Sequence, residues 1–95
     1  EILDLRTLAP LDKDAVIQTV RKTNKAIVLH EDTQTGGIAG EIAAIIQEGA
    51  FDQLDGPVVR ITALDTPVPF SPPQEERFLP QVRDLVERAR WLKSY

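Results

Sequence analysis

The 95-residue chain has no cysteine, no methionine and few aromatic residues: one tryptophan, one tyrosine and three phenylalanines. The absence of cysteine excludes a disulfide framework, a thiolate nucleophile and a cysteine-based zinc site. No apolar run approaches 18 residues, and the chain opens with acidic Glu1, so we expect neither a membrane span nor an export signal. The 15 acidic residues outnumber the 11 basic ones. This balance disfavours nucleic acid and anionic membranes and favours a basic protein partner.

A hydrophobic content of 42% with 27% charged residues is typical of soluble globular proteins. A chain of this length can bury one core. We therefore predict a single domain over residues 1–95.

Glycine and proline clusters divide the chain into segments with alternating strand and helix patterns. The predicted elements, in order, are a strand over Ile2–Thr7, a helix over Asp12–Thr23 capped by Asp12, a strand over Ala26–Leu29, a helix over Gly37–Phe51, a strand over Pro57–Thr62, an extended crossing over Asp65–Pro73, and a helix with Pro80 in its first turn and Val82, Leu85, Val86, Ala89 and Leu92 on its apolar side. This order predicts an α/β fold of three layers, α/β/α, with a mainly parallel sheet.

His30 is the only histidine, and it lies at the predicted C-terminal end of the second strand, where open α/β sheets place ligand sites. Glu31, Asp32 and Glu41 are candidates for an acid/base or metal cluster with it, but their spacing matches no metal motif. We favour a structural, interface or site-proximal role for His30 and Glu31. We assign no catalytic residue, no cofactor-binding residue and no metal ligand.

The run Thr35-Gly36-Gly37 precedes a predicted helix. The threonine hydroxyl is expected to cap this helix, and the free amides could face an anion. Neither dinucleotide-binding nor P-loop glycine spacing is present, so a tight turn with close packing is the preferred interpretation. Ser71 is interpreted as a turn residue and not as a nucleophile, since it lies in no G-x-S-x-G elbow.

Three aspartates are candidates for partner recognition because they flank helix and strand ends: Asp52, Asp55 and Asp65. The alternative is that they are ordinary solvated carboxylates. Trp91 and Tyr95 are either interface anchors or residues that seal the last helix against the core. The mixed charges of that helix indicate a solvated face and not a nucleic-acid-binding stripe.

The segment Ile2–Asp12 is similar to the "DLR-(T/S)-L-x-P-L-D" signature of the beta subunits of thiamine-diphosphate-dependent 2-oxoacid dehydrogenases. Further matches follow in the order of that family: His30-Glu31-Asp32, Thr35-Gly36-Gly37, Glu41-Ile42-Ala43-Ala44, Phe51, Leu54-Asp55-Gly56-Pro57-Val58, Leu64-Asp65-Thr66-Pro67-Val68-Pro69-Phe70 and Leu79-Pro80. The chain therefore resembles the transketolase C-terminal-like domain of such an enzyme. The histidine, the double glycine and the Asp65–Phe70 run are closer to branched-chain and bacterial fused-chain members than to pyruvate-type members, so the parent is either a separate beta subunit or a fused alpha/beta chain.

The resemblance implies a parent enzyme that decarboxylates a 2-oxoacid on thiamine diphosphate with Mg²⁺, both held by other domains, and passes the acyl group to a lipoyl arm. For this chain it implies assembly. The partners would be the remaining domains, a second subunit copy and the peripheral binding domain of the lipoyl acyltransferase core, which Asp55 would help to dock. The implied location is the bacterial cytoplasm, or the mitochondrial matrix in a eukaryote.

Family members place two further strands and a helix before the position of Glu1, so the resemblance implies a domain without its first strands. Either the strand order closes up, a neighbouring molecule supplies the strand, or an edge is left open to association. Two alternatives stay open. One is the equivalent domain of a transketolase or a deoxyxylulose-phosphate synthase, and the other is a free-standing interaction module.

Overall fold

The computed structural model describes residues 1–95, which form four α-helices and a two-stranded sheet. The elements are α1 (Lys13–Thr23), β1 (Ile27–Thr33), α2 (Ile38–Ala50), a 3₁₀ turn (Phe51–Gln53), β2 (Val59–Ala63), α3 (Pro72–Phe78) and α4 (Val82–Lys93). No helix has the length and apolarity needed to cross a membrane.

β1 and β2 pair in parallel, with α2 as the crossover between them. The register is regular from Ile27, opposite Val59, to Leu29, opposite Ile61. Beyond it, the pairing advances four residues along β1 to Thr33 but only two along β2 to Ala63. His30 to Asp32 therefore form a bulge on β1, and a bulge redirects the side chains that it contains.

Helices cover both faces of the sheet, so the predicted three-layer α/β/α class is confirmed. On one face, α1 and α2 meet in a core of five buried residues: Val16, Val20, Ile42, Ile46 and Ala50. Val28 of β1 packs against this core, while its neighbour Ile27 packs on the opposite face, against Val59, Ile61 and Leu92. Adjacent strand residues thus pack in different cores, which is why β1 begins with consecutive apolar residues.

The ends of α1 follow the local signals of the sequence. The Asp12 carboxylate accepts a hydrogen bond from the Ala15 N–H at 3.0 Å, which confirms the predicted cap. Asn24 ends the helix in the left-handed conformation, with φ of 66°, and its N–H donates to the Val20 carbonyl at 2.7 Å. Asparagine tolerates this conformation better than most residues with a side chain, so it is a suitable C-cap.

The predicted first strand over Ile2–Thr7 is wrong. Arg6 has a φ of 57°, which interrupts an extended chain, and the segment pairs with neither strand. Only Leu5 packs against the α1–α2 core. Glu1 lies on α1, where its carboxylate is 2.8 Å from the Lys22 ammonium. The segment is bound by side chains and not by a backbone ladder.

The other two predicted strands exist with shifted ends: β1 extends four residues beyond Leu29, and β2 begins at Val59 instead of Pro57. His30 is therefore the fourth residue of a seven-residue strand and not its end. The extended crossing stops earlier than predicted, because α3 begins at Pro72. Its first turn contains two prolines, whose restricted φ suits a helix. Proline has no backbone N–H, but the N–H groups of a helix's first turn are unpaired in any case.

The last helix begins at Val82, so Pro80 lies before its first turn and that prediction is wrong. Gln81 is the N-cap, and its N–H donates to the Asp84 carboxylate at 2.7 Å. The predicted apolar side is only partly used. Leu92 is buried and Leu85 half-buried, while Val82, Val86 and Ala89 are exposed. A sheet of two short strands is too narrow to cover the whole apolar side of α4.

The predicted cap of α2 by Thr35 is also wrong, because the N-cap is Gly37 and no side chain caps this helix. A Cβ atom built on Gly37 would meet the Thr33 carbonyl oxygen and would lie 2.8 Å from His30 Nε2. Gly36, in contrast, has a φ of 78° and open space around it. Close packing requires glycine at position 37, and backbone conformation favours it at position 36.

We expect Gly37→Val to lower the free energy of unfolding by about 2–4 kcal/mol, because its side chain would collide with backbone and with a ring that has little room to move. Gly36→Ala is the matched control and should cost only about 1 kcal/mol, the strain of a left-handed alanine. Urea unfolding of both variants measures the difference. Equal stability of Gly37→Val and the unsubstituted chain would show that the α2 entry is not closely packed.

Candidate functional site

An open groove of about 790 Å³ lies at the amino end of the sheet. It forms where α2 ends in the 3₁₀ turn and the chain turns back into β2. We call it the Asp55 groove, and its lining is Ala43, Ala44, Gln47, Phe51, Asp52, Leu54, Asp55, Gly56, Pro57, Val58 and Tyr95.

The Asp55 groove combines two carboxylates with exposed aromatic surface. The side chains of Asp52 and Asp55 are exposed. Phe51 and Tyr95 each expose 66% of their surface, and Ala43 and Ala44 add small apolar side chains from α2. The groove therefore offers both negative charge and apolar surface to solvent.

The turn that carries Asp55 is fixed to the end of α1. The Asp55 N–H donates to the Asn24 carbonyl at 2.8 Å, and the Asn24 side-chain amide donates to the Gln53 carbonyl, also at 2.8 Å. Both bonds join segments about thirty residues apart. These hydrogen bonds hold the backbone on both sides of Leu54, and they therefore fix the position from which the Asp55 side chain extends.

Tyr95 forms one wall of the groove by lying against Gly56. A Cβ atom at Gly56 would come 3.1 Å from Tyr95 Cδ1 and 3.2 Å from Leu92 Cδ1, so glycine permits this approach. Trp91 contacts Tyr95 edge to face, with ring centroids 5.5 Å apart, and the Arg88 guanidinium lies 4.5 Å from the centre of the Trp91 ring. This stack along α4 positions the Tyr95 ring.

The opposite, carboxyl end of the sheet carries a different arrangement. The Asp65 carboxylate accepts bonds from the Thr35 hydroxyl at 2.6 Å and from the Thr35 N–H at 2.9 Å. Arg60 donates to the Gln34 carbonyl at 3.2 Å. The bonds from Thr35, that of its hydroxyl first, lower the pKa of Asp65 below its ordinary value of 3.8, and the Arg60 charge adds to the effect. Asp65 therefore ties the loops after β1 and β2 together.

Of the predicted recognition residues, the structure brings together Asp52, Asp55 and Tyr95, with Trp91 behind Tyr95. Asp65 lies at the other end of the sheet, where its carboxylate is hydrogen-bonded to Thr35. Its prediction as a partner-binding residue is untested, but its contacts give it a structural role.

His30 and Glu31 do not belong to the Asp55 groove. Both ring nitrogens of His30 are buried and have no hydrogen-bond partner within the protein, and the ring packs against Gly37. Glu31 is exposed. No group of three or more His, Cys, Asp or Glu side chains is placed to hold a metal ion.

Phe51, Ala43 and Ala44 are lining residues that sequence reasoning missed. Phe51 follows an apolar helix and was read as its last residue; in the structure the helix stops one residue earlier, and the ring points outward from the 3₁₀ turn. The sequence signal that could have identified Phe51 is an aromatic residue close to two aspartates, Asp52 and Asp55.

The family model described as the C-terminal domain of transketolase matches residues 1–85. The chain belongs to this family. Its α/β architecture with a parallel sheet is consistent with that fold.

Curated relatives are beta subunits of larger enzymes. The acetoin:2,6-dichlorophenolindophenol oxidoreductase subunit beta of Bacillus subtilis is 49% identical over 86 residues, which are 90% of this chain and 25% of that protein. The pyruvate dehydrogenase E1 component subunit beta is 44% identical in Bacillus subtilis, over 95% of this chain and 27% of that protein. In Rickettsia felis it is 38% identical, over 100% of this chain and 29% of that protein. The chain thus spans less than a third of the length of these relatives.

We expect the Thr35–Asp65 pair to contribute to acid sensitivity. Since the pKa of Asp65 is lowered in the folded state, its stabilisation is fully present above the unfolded value near 3.8 and is lost as the pH falls through the lower folded value. Asp65→Asn should therefore be less stable than the parent chain at pH 7, and the difference should shrink below pH 3.8. Thermal unfolding between pH 2 and pH 7 measures it, and a difference independent of pH would contradict this role.

Proposed function

We propose that the chain is the assembly and docking domain of a 2-oxoacid dehydrogenase component, and that the Asp55 groove binds the basic peripheral binding domain of the lipoyl acyltransferase core. The observation that carries the proposal is the meeting of Asp52, Asp55 and two exposed aromatic rings in one groove. That residues 1–95 form one domain of a longer protein is part of the proposal.

The groove favours a partner that offers both positive charge and apolar surface. Its carboxylates would pair with lysine or arginine, while Phe51 and Tyr95 would exchange water for apolar contacts. The net charge of −4 would accelerate the approach of such a partner. A nucleic acid does not meet the charge requirement, because its phosphates would be repelled by the carboxylates.

The relatives named above support a dehydrogenase beta subunit over a transketolase or a deoxyxylulose-phosphate synthase as the parent. The substrates that appear in the names of these relatives are pyruvate and acetoin. The sequence-based preference for a branched-chain substrate stays a prediction. So do a location in the bacterial cytoplasm or the mitochondrial matrix, the pairing with the remaining domains, and the contact with a second subunit copy.

In the proposed parent, thiamine diphosphate and Mg²⁺ supply the decarboxylation chemistry. The residues of this chain do not fit such a site, because the sequence has no diphosphate-binding glycine motif and the structure gathers no set of acidic ligands. The cofactor would lie in the other domains, and this chain would contribute to assembly.

The docking proposal is tested with the parent dehydrogenase and the isolated peripheral binding domain. Asp55→Asn should weaken binding by about 2 to 5 kcal/mol if the charge pair is partly buried in the complex. Titration calorimetry at several salt concentrations measures the affinity and its salt dependence.

Asp52→Asn is the matched control, since it removes a neighbouring charge from the same groove. If both variants bind as the unsubstituted enzyme does, with the same salt dependence, docking does not use the Asp55 groove. An equal loss in both would indicate general electrostatic attraction instead of a specific contact of Asp55.

A second test concerns the cofactor. We expect the isolated chain to bind no thiamine diphosphate in the presence of Mg²⁺ and to decarboxylate no 2-oxoacid. Calorimetry with millimolar Mg²⁺ checks binding, and micromolar affinity would overturn the assignment of the chain as a support domain.

A further inference from the structure

We infer that Asn24 is a positioning residue for Asp55: it anchors the turn that carries the docking carboxylate to the end of α1. The inference rests on the proposed function, because it concerns the same groove. Asn24 itself is absent from the groove lining, so its effect on a partner would be exerted through Asp55.

Three hydrogen bonds involve Asn24. Its N–H donates to the Val20 carbonyl at 2.7 Å and completes α1, and its own carbonyl accepts from the Asp55 N–H at 2.8 Å. Its side-chain amide donates to the Gln53 carbonyl at 2.8 Å, across 29 residues of sequence. The residue thus connects a helix end rigidly to both sides of the turn.

The identity of the residue matters because of its backbone conformation. Asn24 has a φ of 66°, a region that glycine and asparagine adopt most readily. Glycine would keep the helix end but has no amide to reach Gln53. Asparagine meets the conformational requirement and supplies the bond.

The two bonds to the turn would reduce the range of positions open to the Asp55 carboxylate before binding. A group that is already ordered loses less conformational entropy on association, so preorganisation raises affinity without a new contact. On the other side of the turn, Tyr95 packs on Gly56. Asp55 is therefore held between α1 and α4.

A double-mutant cycle tests the inference. Asn24→Gly permits the left-handed conformation, removes the side-chain bond to Gln53 and makes the backbone at position 24 more flexible. In the parent dehydrogenase we expect it to weaken binding of the isolated peripheral binding domain about 3- to 10-fold, because the Asp55 carboxylate would be less ordered before binding. In the Asp55→Asn background the same substitution should change the affinity by less than about twofold, because the group that it positions is gone.

A purely structural role would not produce this dependence on Asp55. Ile17→Val is the control for lost stability: Ile17 packs between α1 and α2 beside Gly49, away from the groove lining, and this variant should bind with unchanged affinity. Thermal unfolding of each variant establishes that the binding measurements use folded protein.

The possible results are distinct. An affinity loss for Asn24→Gly that disappears with Asp55→Asn supports the inference. Unchanged binding by Asn24→Gly, or an equal loss in both backgrounds, overturns it while leaving Asp55 as a docking residue. If Asp55→Asn alone has no effect on affinity, the proposed function and the inference both fail.

Discussion

β1 and β2 pair in parallel over only a few residues, and the positions of the other elements depend on that pairing. Because the strands run in the same direction, their amino ends meet at one edge of the domain and their carboxyl ends at the other. α2 crosses from one edge to the other between them. The turns that follow α1 and α2 therefore lie at or beside the Asp55 groove, and the loops that follow the two strands meet at Asp65.

The two ends differ in chemistry. At the carboxyl end each oxygen of the Asp65 carboxylate accepts a hydrogen bond from Thr35, while both buried ring nitrogens of His30 have no partner within the protein. At the amino end Asp52 and Asp55 are exposed beside aromatic rings. Open α/β sheets usually place ligands at the carboxyl ends of their strands. Here the groove that combines exposed carboxylates with exposed aromatic rings lies at the opposite end, and this groove is the surface that we propose for docking.

The charged and aromatic residues of the groove are exposed, but contacts behind the groove surface hold them in place. Asn24 holds the Asp55 turn from α1, and the Trp91–Tyr95 contact holds the other wall from α4. None of these contacts involves the carboxylate of Asp52 or Asp55. The arrangement leaves charge and apolar surface in water while restricting their motion, and it separates the residues that would bind from those that support them.

The sequence by itself determined the features that local interactions control. Asp12 caps α1 three residues away, apolar spacing produced α1 and α2, and the alternation of helix with strand implied a parallel sheet between two helical layers. Family motifs predicted the fold in the same way, through residues in their chain order. Asp52, Asp55 and Tyr95 could be proposed individually because charge, turn chemistry and aromatic character are readable one residue at a time.

Tertiary structure alone decided which of these residues meet. Ile2–Thr7 has the composition of a strand, but a strand exists only with a partner, and the chain packs Leu5 by its side chain instead. Pairing between distant segments also placed His30 in a bulge and Thr35 on Asp65. Tyr95 reaches Gly56, and Asn24 reaches Gln53, only because the fold brings them together. Such contacts depend on where the whole backbone runs, and no pattern of neighbouring residues encodes that path.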